Sequence, residues 1–301
     1  MSVSVSVFSK KALLVINPVA GRKMIQRNIC DVVRCLMDQG YLVTTAVTSR
    51  RGEARELSYS FGRDFDLLVC AGGDGTLNEC ISGMAEGEVR VPVGYLPCGS
   101  TNDFALSHGL PLDPHVAAAT VAAGRLRQYD LGCFGERYFL HHALFGAFTR
   151  LAYSTDQSQK NLLGFGAYVL DSLKELPNLK PIPLSVSADG ITEQGEYLFG
   201  TVSVDNHIAG LYTLPEELIG PADGRVAAVL IKVPKSVIDW DILGRSFLSG
   251  DPNCSMVKVL TGRELLVTSS EPMEWSLDGE SSGLQTQVQI SAKAGFLTLQ
   301  G

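Results

Sequence analysis

Two hydrophobic periods alternate along the first part of the chain. Continuous apolar runs at Lys11–Ile16 and Leu67–Ala71 read as buried strands, Tyr41–Thr48 as a strand rich in β-branched residues (Val43, Thr44, Thr45, Val47), and Pro92–Leu96 as a fourth strand. Between them the apolar positions step at helical spacing. Ile25, Ile29, Val32, Val33 and Leu36 share one face, which Gly40 stops; a short helix follows Ala54; Leu77, Ile81 and Met84 mark another. Asp113 caps a further helix, with Pro114 at its first position and Gly124 at its end. Strand and helix alternating through residue 124 predict an α/β domain around a doubly wound parallel sheet. In such a sheet the polar loops at 17–23, 48–53, 72–76 and 97–103 gather at one edge, beyond the carboxyl ends of the strands.

From Arg127 the texture changes. Tyr129–Gly132 and Arg137–Phe148 read as hairpin strands around Gly135, and Lys160–Leu176 as a helix with an apolar face. Short strands then recur at 182–188, 196–204, 225–232, 257–267, 273–277, 284–290 and 295–300, separated by turn residues. This spacing predicts a mostly antiparallel β-sandwich or open barrel. The expected division is 1–128 for the α/β domain and 129–301 for the β domain, whose last strand is allowed to return to the first.

Composition narrows the class. Apolar content of 45% and charged content of 19% describe a globular chain with ample core. No apolar run reaches the roughly 18–20 residues of a membrane span. The opening Met1–Val7 alternates like a strand and its lysines, Lys10 and Lys11, follow rather than precede it, so no secretory signal is expected. Seven cysteines without a C-x-x-C pair suit reduced thiols in a cytoplasmic protein. The net charge of −7 falls on the second half: residues 1–150 hold 15 Lys and Arg against 14 Asp and Glu, residues 151–301 hold 10 against 18. A broad nucleic-acid surface is thereby excluded, but not a local basic patch.

The chemistry concentrates at Gly72-Gly73-Asp74-Gly75-Thr76-Leu77-Asn78-Glu79, a strand-to-helix turn. Glycines let backbone N–H groups approach a phosphate, and a helix start favours negative charge. Asp74 would repel a bare anion, so its presence points to Mg²⁺ or a protein cation as mediator. Asn17-Pro18-Val19-Ala20-Gly21 forms a second phosphate-compatible turn. No loop fits G-x-x-x-x-G-K-[ST] or a full G-x-G-x-x-G, which argues against a P-loop protein and a dinucleotide dehydrogenase. In the β region, Asp278-Gly279-Glu280 sets two carboxylates on one turn; taken alone it reads as a hairpin, as does Asp223-Gly224. His141-His142 lies on an expected strand, so its rings should point to opposite faces and not clamp one metal.

Taken together these motifs resemble the diacylglycerol kinase catalytic-domain family, the soluble bacterial enzymes in particular, with sphingosine kinases and NAD kinases as more distant relatives. The resemblance rests on Asn17-Pro18 with Gly21, Thr48 with Gly52, Gly72–Glu79, Pro97–Ala105, Asp130-Leu131-Gly132, Asp223-Gly224 and Asp278-Gly279-Glu280, and spans nearly the whole chain. It implies an NAD kinase-like nucleotide domain, a C-terminal β-sandwich, and an ATP- and Mg²⁺-dependent lipid kinase making phosphatidic acid. It also implies ATP contacts from Asn17, Pro18, Val19, Ala20, Gly21, Thr48, Gly73, Asp74, Gly75, Thr76, Leu77, Asn78, Glu79 and Ser100. Asp278 and Glu280 match the catalytic acids, either one as base. Asp74, Asp103 and Asp130 match an acidic network around active-site Mg²⁺; Asp223, with backbone carbonyls near Gly220 and Arg225, matches a structural Mg²⁺ site. A lipid substrate met at the inner face of a membrane follows, with Lys160–Leu176 and Arg150 as the expected contact; a homodimer is left open. Ser100 stands where threonine is common, and His141–Gly146 is bulkier than in relatives, which bears on the lipid channel. A kinase for another lipid alcohol and a non-catalytic nucleotide-binding regulator are the alternatives.

Overall fold

The computed structural model describes residues 8–21, 24–146 and 181–301, the side chains of 24–27 excepted. The expected helix at 160–176 and Arg150 lie outside the described residues. Two units emerge: unit 1 is Met1–Tyr129 with Phe296–Gly301, and unit 2 is Asp130–Gly295.

Unit 1 runs β1 (Lys10–Ile16), α1 (Met24–Asp38), β2 (Tyr41–Val47), α2 (Glu53–Phe61), β3 (Leu67–Gly72), α3 (Asp74–Glu86), β4 (Val93–Pro97), α4 (Asp103–Ser107) and α5 (Pro114–Ala122). The strands lie in the order β4-β3-β1-β2, and every pairing among these four is parallel. Ala12, Leu14 and Ile16 of β1 pack with Val32 and Leu36 of α1 and with Ala117, Ala118 and Val121 of α5. The alternate residues Leu13 and Val15 are buried too, so β1 has no solvent-facing side after Lys11. That is why its sequence is a continuous apolar run rather than an alternation. Asp113 caps α5 as its sequence predicts, its Oδ1 accepting from His115 N and Val116 N at 3.0 and 3.1 Å.

Unit 2 is strand-rich and antiparallel. It contains β5 (Leu126–Phe134, which enters from unit 1), β6 (Arg137–Phe139), β7 (His142–Gly146), β8 (Ile182–Ala188), β9 (Ile191–Ser203), β10 (His207–Ile208), β11 (Tyr212–Thr213), β12 (Val226–Lys232), α6 (Val237–Ser249), β13 (Val257–Gly262), β14 (Glu264–Leu277) and β15 (Glu280–Gln300). Several strands expected to be separate are one: 273–277 continues β14 across a register break between Thr268 and Met273, and 284–290 with 295–300 form the single β15. The sheet runs β13-β12-β9-β7-β14-β15, while β8 pairs with both β9 and β14. So β9 and β14 each pair with β8 along one half and β7 along the other. Those four strands close on themselves around Phe145, Val186, Tyr197 and Trp275. Trp275 is fully buried between Phe134 and Phe145, with ring centroids 5.0 and 4.8 Å away.

A second core lies on the other face of β7, β9 and β12, where Leu243 and Phe247 of α6 pack with Val229, Ile231 and Tyr212. β12 is therefore buried on both faces. The helix α6 is absent from the sequence expectation, although its signal is present: Ser236 Oγ accepts from Asp239 N at 3.1 Å and Asp239 Oδ2 accepts from Lys235 N at 2.9 Å. This is a Ser-x-x-Asp cap before an apolar run. The last residues of β15 leave unit 2 for unit 1, where Leu299 pairs in parallel with Val93 of β4.

Candidate active site

In unit 1 the loops at the carboxyl ends of the four strands are tied to one another. The Asn17 side chain donates to Thr76 Oγ1 at 2.9 Å and accepts from Val19 N at 3.1 Å, joining the Pro18–Gly21 turn to the start of α3. Thr48, buried, donates from both N and Oγ1 to Ile16 O at 2.8 and 3.2 Å. Glu79 Oε1 accepts from Gly52 N at 2.8 Å, so the loop after β2 is held by α3. Gly73 and Gly99 bring the third and fourth loops into backbone contact: a Cβ on Gly99 would lie 2.6 Å from Gly73 Cα. No side chain fits there, and this close approach is the physical content of the two glycine motifs.

Asp74 has a use that its position in a glycine loop does not announce. Its Oδ2 accepts from Asp103 N at 3.0 Å and its Oδ1 from Phe104 N at 3.1 Å, so one carboxylate at the head of α3 also clamps the head of α4. Bonds of this charge-assisted kind are worth about 1.5–3 kcal/mol each. Beneath the clamp Phe104 is buried edge-on against Tyr95 and Tyr129, at centroid distances of 6.1 and 6.2 Å. Asn102, in the left-handed conformation (φ 53°), closes the loop by accepting from Gly99 N at 2.7 Å and donating to Gly99 O at 3.1 Å. Ser100 and Asp103 are exposed on this loop. Gly75 sits in the first turn of α3 with a helical backbone, so its need is not a positive φ. Leu77 is fully buried and its N–H donates to Gly73 O at 3.0 Å, which turns it toward the core.

In unit 2, Asp278 and Gly279 form a two-residue hairpin turn between β14 and β15, with φ of 46° and 85°. Both values are positive, as the tight hairpin requires. The turn is also built upon. Asp278 Oδ2 accepts from Leu140 N at 2.6 Å and its Oδ1 from His141 N and His142 N at 2.9 and 3.0 Å, while Asp278 N donates to His142 O at 2.9 Å. Three successive amides, two from the link between β6 and β7 and one from the first residue of β7, thus converge on one carboxylate. Glu280, the first residue of β15, is exposed.

The two histidine rings do not point to opposite faces as strand alternation predicts; their centroids are 5.3 Å apart and their planes 31° from parallel. The reason is local. His141 precedes β7, in the link that Asp278 gathers, so the period of two does not reach it. His141 Nδ1 lies 3.1 Å from Asp205 Oδ2, both residues buried. His142 is half-buried as a residue but its Nδ1 is sealed from solvent, and burial, with His141 adding, lowers its pKa to about 4.

Gly220, Asp223 and Arg225 do come together, through amides rather than carbonyls: Asp223 Oδ2 accepts from Gly220 N at 2.7 Å and Oδ1 from Arg225 N at 2.9 Å. Asp130 braces the same turn, accepting from Gly224 N and Gly295 N at 2.7 Å each. Burial raises the Asp130 carboxyl above its ordinary value, and the negative charge of Asp223 adds to the rise against the pull of the backbone amides of Gly295, Gly224 and Asp223. Two carboxylates on one turn offer the hard oxygen ligands that suit a partly hydrated cation such as Mg²⁺, and each of their oxygens here accepts a backbone amide. Asp74 and Asp103, adjacent at the head of α4, offer the same donor chemistry in unit 1. Sequence does not single out Asn102 or Asp205, and it marks His141 only with His142 and for its bulk, not as a partner of Asp205. Asn102 carries a signal, being an asparagine before a helix start; Asp205 carries none, since its partner is 64 residues away.

Residues 11–134 match the family described as diacylglycerol kinase catalytic domain. The chain is 32% identical to the diacylglycerol kinase of Bacillus subtilis (strain 168), over 91% of each chain. It is 31% identical to the diacylglycerol kinase of Staphylococcus aureus (strain JH9), over 97% of this chain and 90% of that one. A crystal structure of a diacylglycerol kinase from Bacillus anthracis str. Sterne shares the fold, with a TM-score of 0.76 at 21% identity over 97% and 96% of the two chains. The chain belongs to the diacylglycerol kinase family and is a lipid kinase. No helix among the described residues is long and apolar enough to cross a membrane.

Proposed function

We propose that the chain transfers the γ-phosphoryl group of ATP to the hydroxyl of diacylglycerol, giving phosphatidic acid. The observation that supports this most is the loop platform of unit 1, where Gly73 and Gly99 meet backbone to backbone and Asp74 fixes the α4 loop beside them. Such a surface offers N–H groups without intervening side chains, which phosphates need. Asn17, Thr48 and Glu79 hold its neighbouring loops in place, and Ser100 is exposed on it. In this reading unit 1 is an NAD kinase-like doubly wound domain and unit 2 a β-sandwich.

Glu280 is the base: it is exposed, whereas both oxygens of Asp278 accept backbone amides. It takes the proton of the lipid hydroxyl as that oxygen bonds to the γ-phosphorus and the bond to the β–γ bridging oxygen breaks, releasing ADP. Asp278 positions Glu280 by fixing the turn that carries it. Mg²⁺ held by Asp74 and Asp103 would neutralise charge across the phosphates. A second ion at Asp223, with carbonyls of Gly220 and Arg225, would brace the turn. The protein works at the inner surface of a membrane as a peripheral protein. The test is transfer of radiolabel from ATP to a panel of lipid alcohols in mixed micelles. Label on diacylglycerol supports the reading; label only on another lipid alcohol replaces the substrate, and no lipid-dependent transfer removes the activity.

A further inference from the structure

Two of the three amides that hold Asp278, those of Leu140 and His141, belong to the link between β6 and β7, and the third is that of His142, the first residue of β7. Within that link His141 carries a second anchor. Its ring meets the buried carboxylate of Asp205, Nδ1 to Oδ2 3.1 Å, and its carbonyl accepts from Ser203 Oγ at 3.1 Å. Asp205 is fixed in turn: its Oδ1 accepts from His207 N at 2.8 Å and its N–H donates to Ser203 Oγ at 3.4 Å. A buried carboxylate is costly unless hydrogen-bonded on every side, so a protein that keeps one here needs what it holds. Facing a carboxylate, Nδ1 carries the ring proton.

We propose that Asp205 and His141 are positioning residues for the catalytic turn, the pair acting through the backbone of Leu140–His142 to set the pose of Asp278 and hence of Glu280. The inference rests on the proposed role of that turn. The path is short and continuous: Asp205 holds the His141 ring, the His141 N–H donates to Asp278 Oδ1 at 2.9 Å, and Glu280 lies two residues further along. Without the ring tether the three N–H vectors lose the restraint that makes them converge. A misplacement of about 1 Å at a reacting group costs up to about 10²-fold in rate.

The test compares His141→Ala with His141→Asn, whose side-chain nitrogen sits near the place of Nδ1 and can donate to Asp205. Two readouts are taken on each folded variant: hydrogen exchange at the amides of 140–142, and kcat and KM for ATP with diacylglycerol micelles. In His141→Ala the three amides should lose protection, and kcat should fall about 10²-fold with KM for ATP unchanged. His141→Asn should restore most of both, and Asp205→Ala should reproduce the loss. Unaltered protection and kcat in His141→Ala would overturn the proposal, as would a loss that Asn fails to restore. Should the wild-type protein phosphorylate no lipid, the proposed function falls while the exchange measurement still decides whether the pair holds the turn.

Discussion

Both units set an aspartate against backbone amides, and they do so on opposite kinds of scaffold. In unit 1, Asp74 takes two consecutive amides at the head of α4. Helix starts leave N–H groups without partners in any case, so the donors are ready-made. In unit 2, Asp278 takes the two amides of a link between strands and that of the first residue of the strand that follows. Nothing in strand geometry makes those converge, and a further anchor on the link is required. A clamp on a helix end is therefore local, while a clamp on a link recruits residues far away in sequence.

The largest effect should come from separating the two aspartates from the base. Glu280→Gln should lower lipid phosphorylation by about 10²–10⁴-fold, the usual worth of a general base, with ATP affinity by calorimetry unchanged. Near wild-type turnover would take Glu280 out of the chemistry. On the unit 1 side, Gly99→Val puts a branched side chain where even a Cβ would lie 2.6 Å from Gly73. Calorimetry should then detect little or no ATP binding, while the far-UV circular dichroism spectrum stays that of the folded protein. Retained ATP affinity would refute the platform.

A smaller effect tests the clamps themselves. Asp278→Asn keeps the shape but must turn an NH₂ toward at least one of three N–H donors, and Asp74→Asn does the same toward one of two. Each should cost about 1–3 kcal/mol, read from denaturant midpoints. The comparison breaks if Asp278→Asn is silent. Asp223→Ala, removing the acceptor for Gly220 N and Arg225 N, should cost a similar amount, and less turnover than Asp103→Ala; equal effects on both would merge the two proposed metal roles.

The smallest effect is a slope. His142 is held neutral, its pKa about 4 against an ordinary 6.5. Between those values the unfolded chain binds more protons than the folded one, so this group's contribution is whole above pH 6.5 and is lost as pH falls toward about 4. Replacing His142 by Asn should flatten the loss in stability over that window in acid titrations followed by circular dichroism. An unchanged slope would mean that the ring is not shielded.

Unit 1 was legible because its signals are local. Continuous apolar strands, Asp113 with Pro114, and Gly40 after a helix all announce themselves within a few residues. Unit 2 yielded less. The bend that keeps β14 one strand is a register break against β15, and the ring pair at His141 and His142 depends on where a strand begins. Site residues followed the same divide. The glycines and Asp74 are marked by their motif, but the amides that each carboxylate takes are set by packing across 29 residues for Asp74 and 138 for Leu140 with Asp278.

The strand β15 carries a consequence for how the protein is made. Its end, with Gly301 after it, completes unit 1 as Phe296–Gly301: Leu299 lies against Val93 of β4, and Gln300 Nε2 donates to Val121 O at 2.8 Å. On the ribosome, all of unit 2 is translated before those residues emerge. Until then the outer side of β4 has no strand beside it, and an unpaired edge is a place where a chain can add to the wrong neighbour. The unit encoded first is thus finished last. Nascent chains arrested before residue 296 should be more readily cleaved by protease within unit 1 than chains carrying the whole of β15.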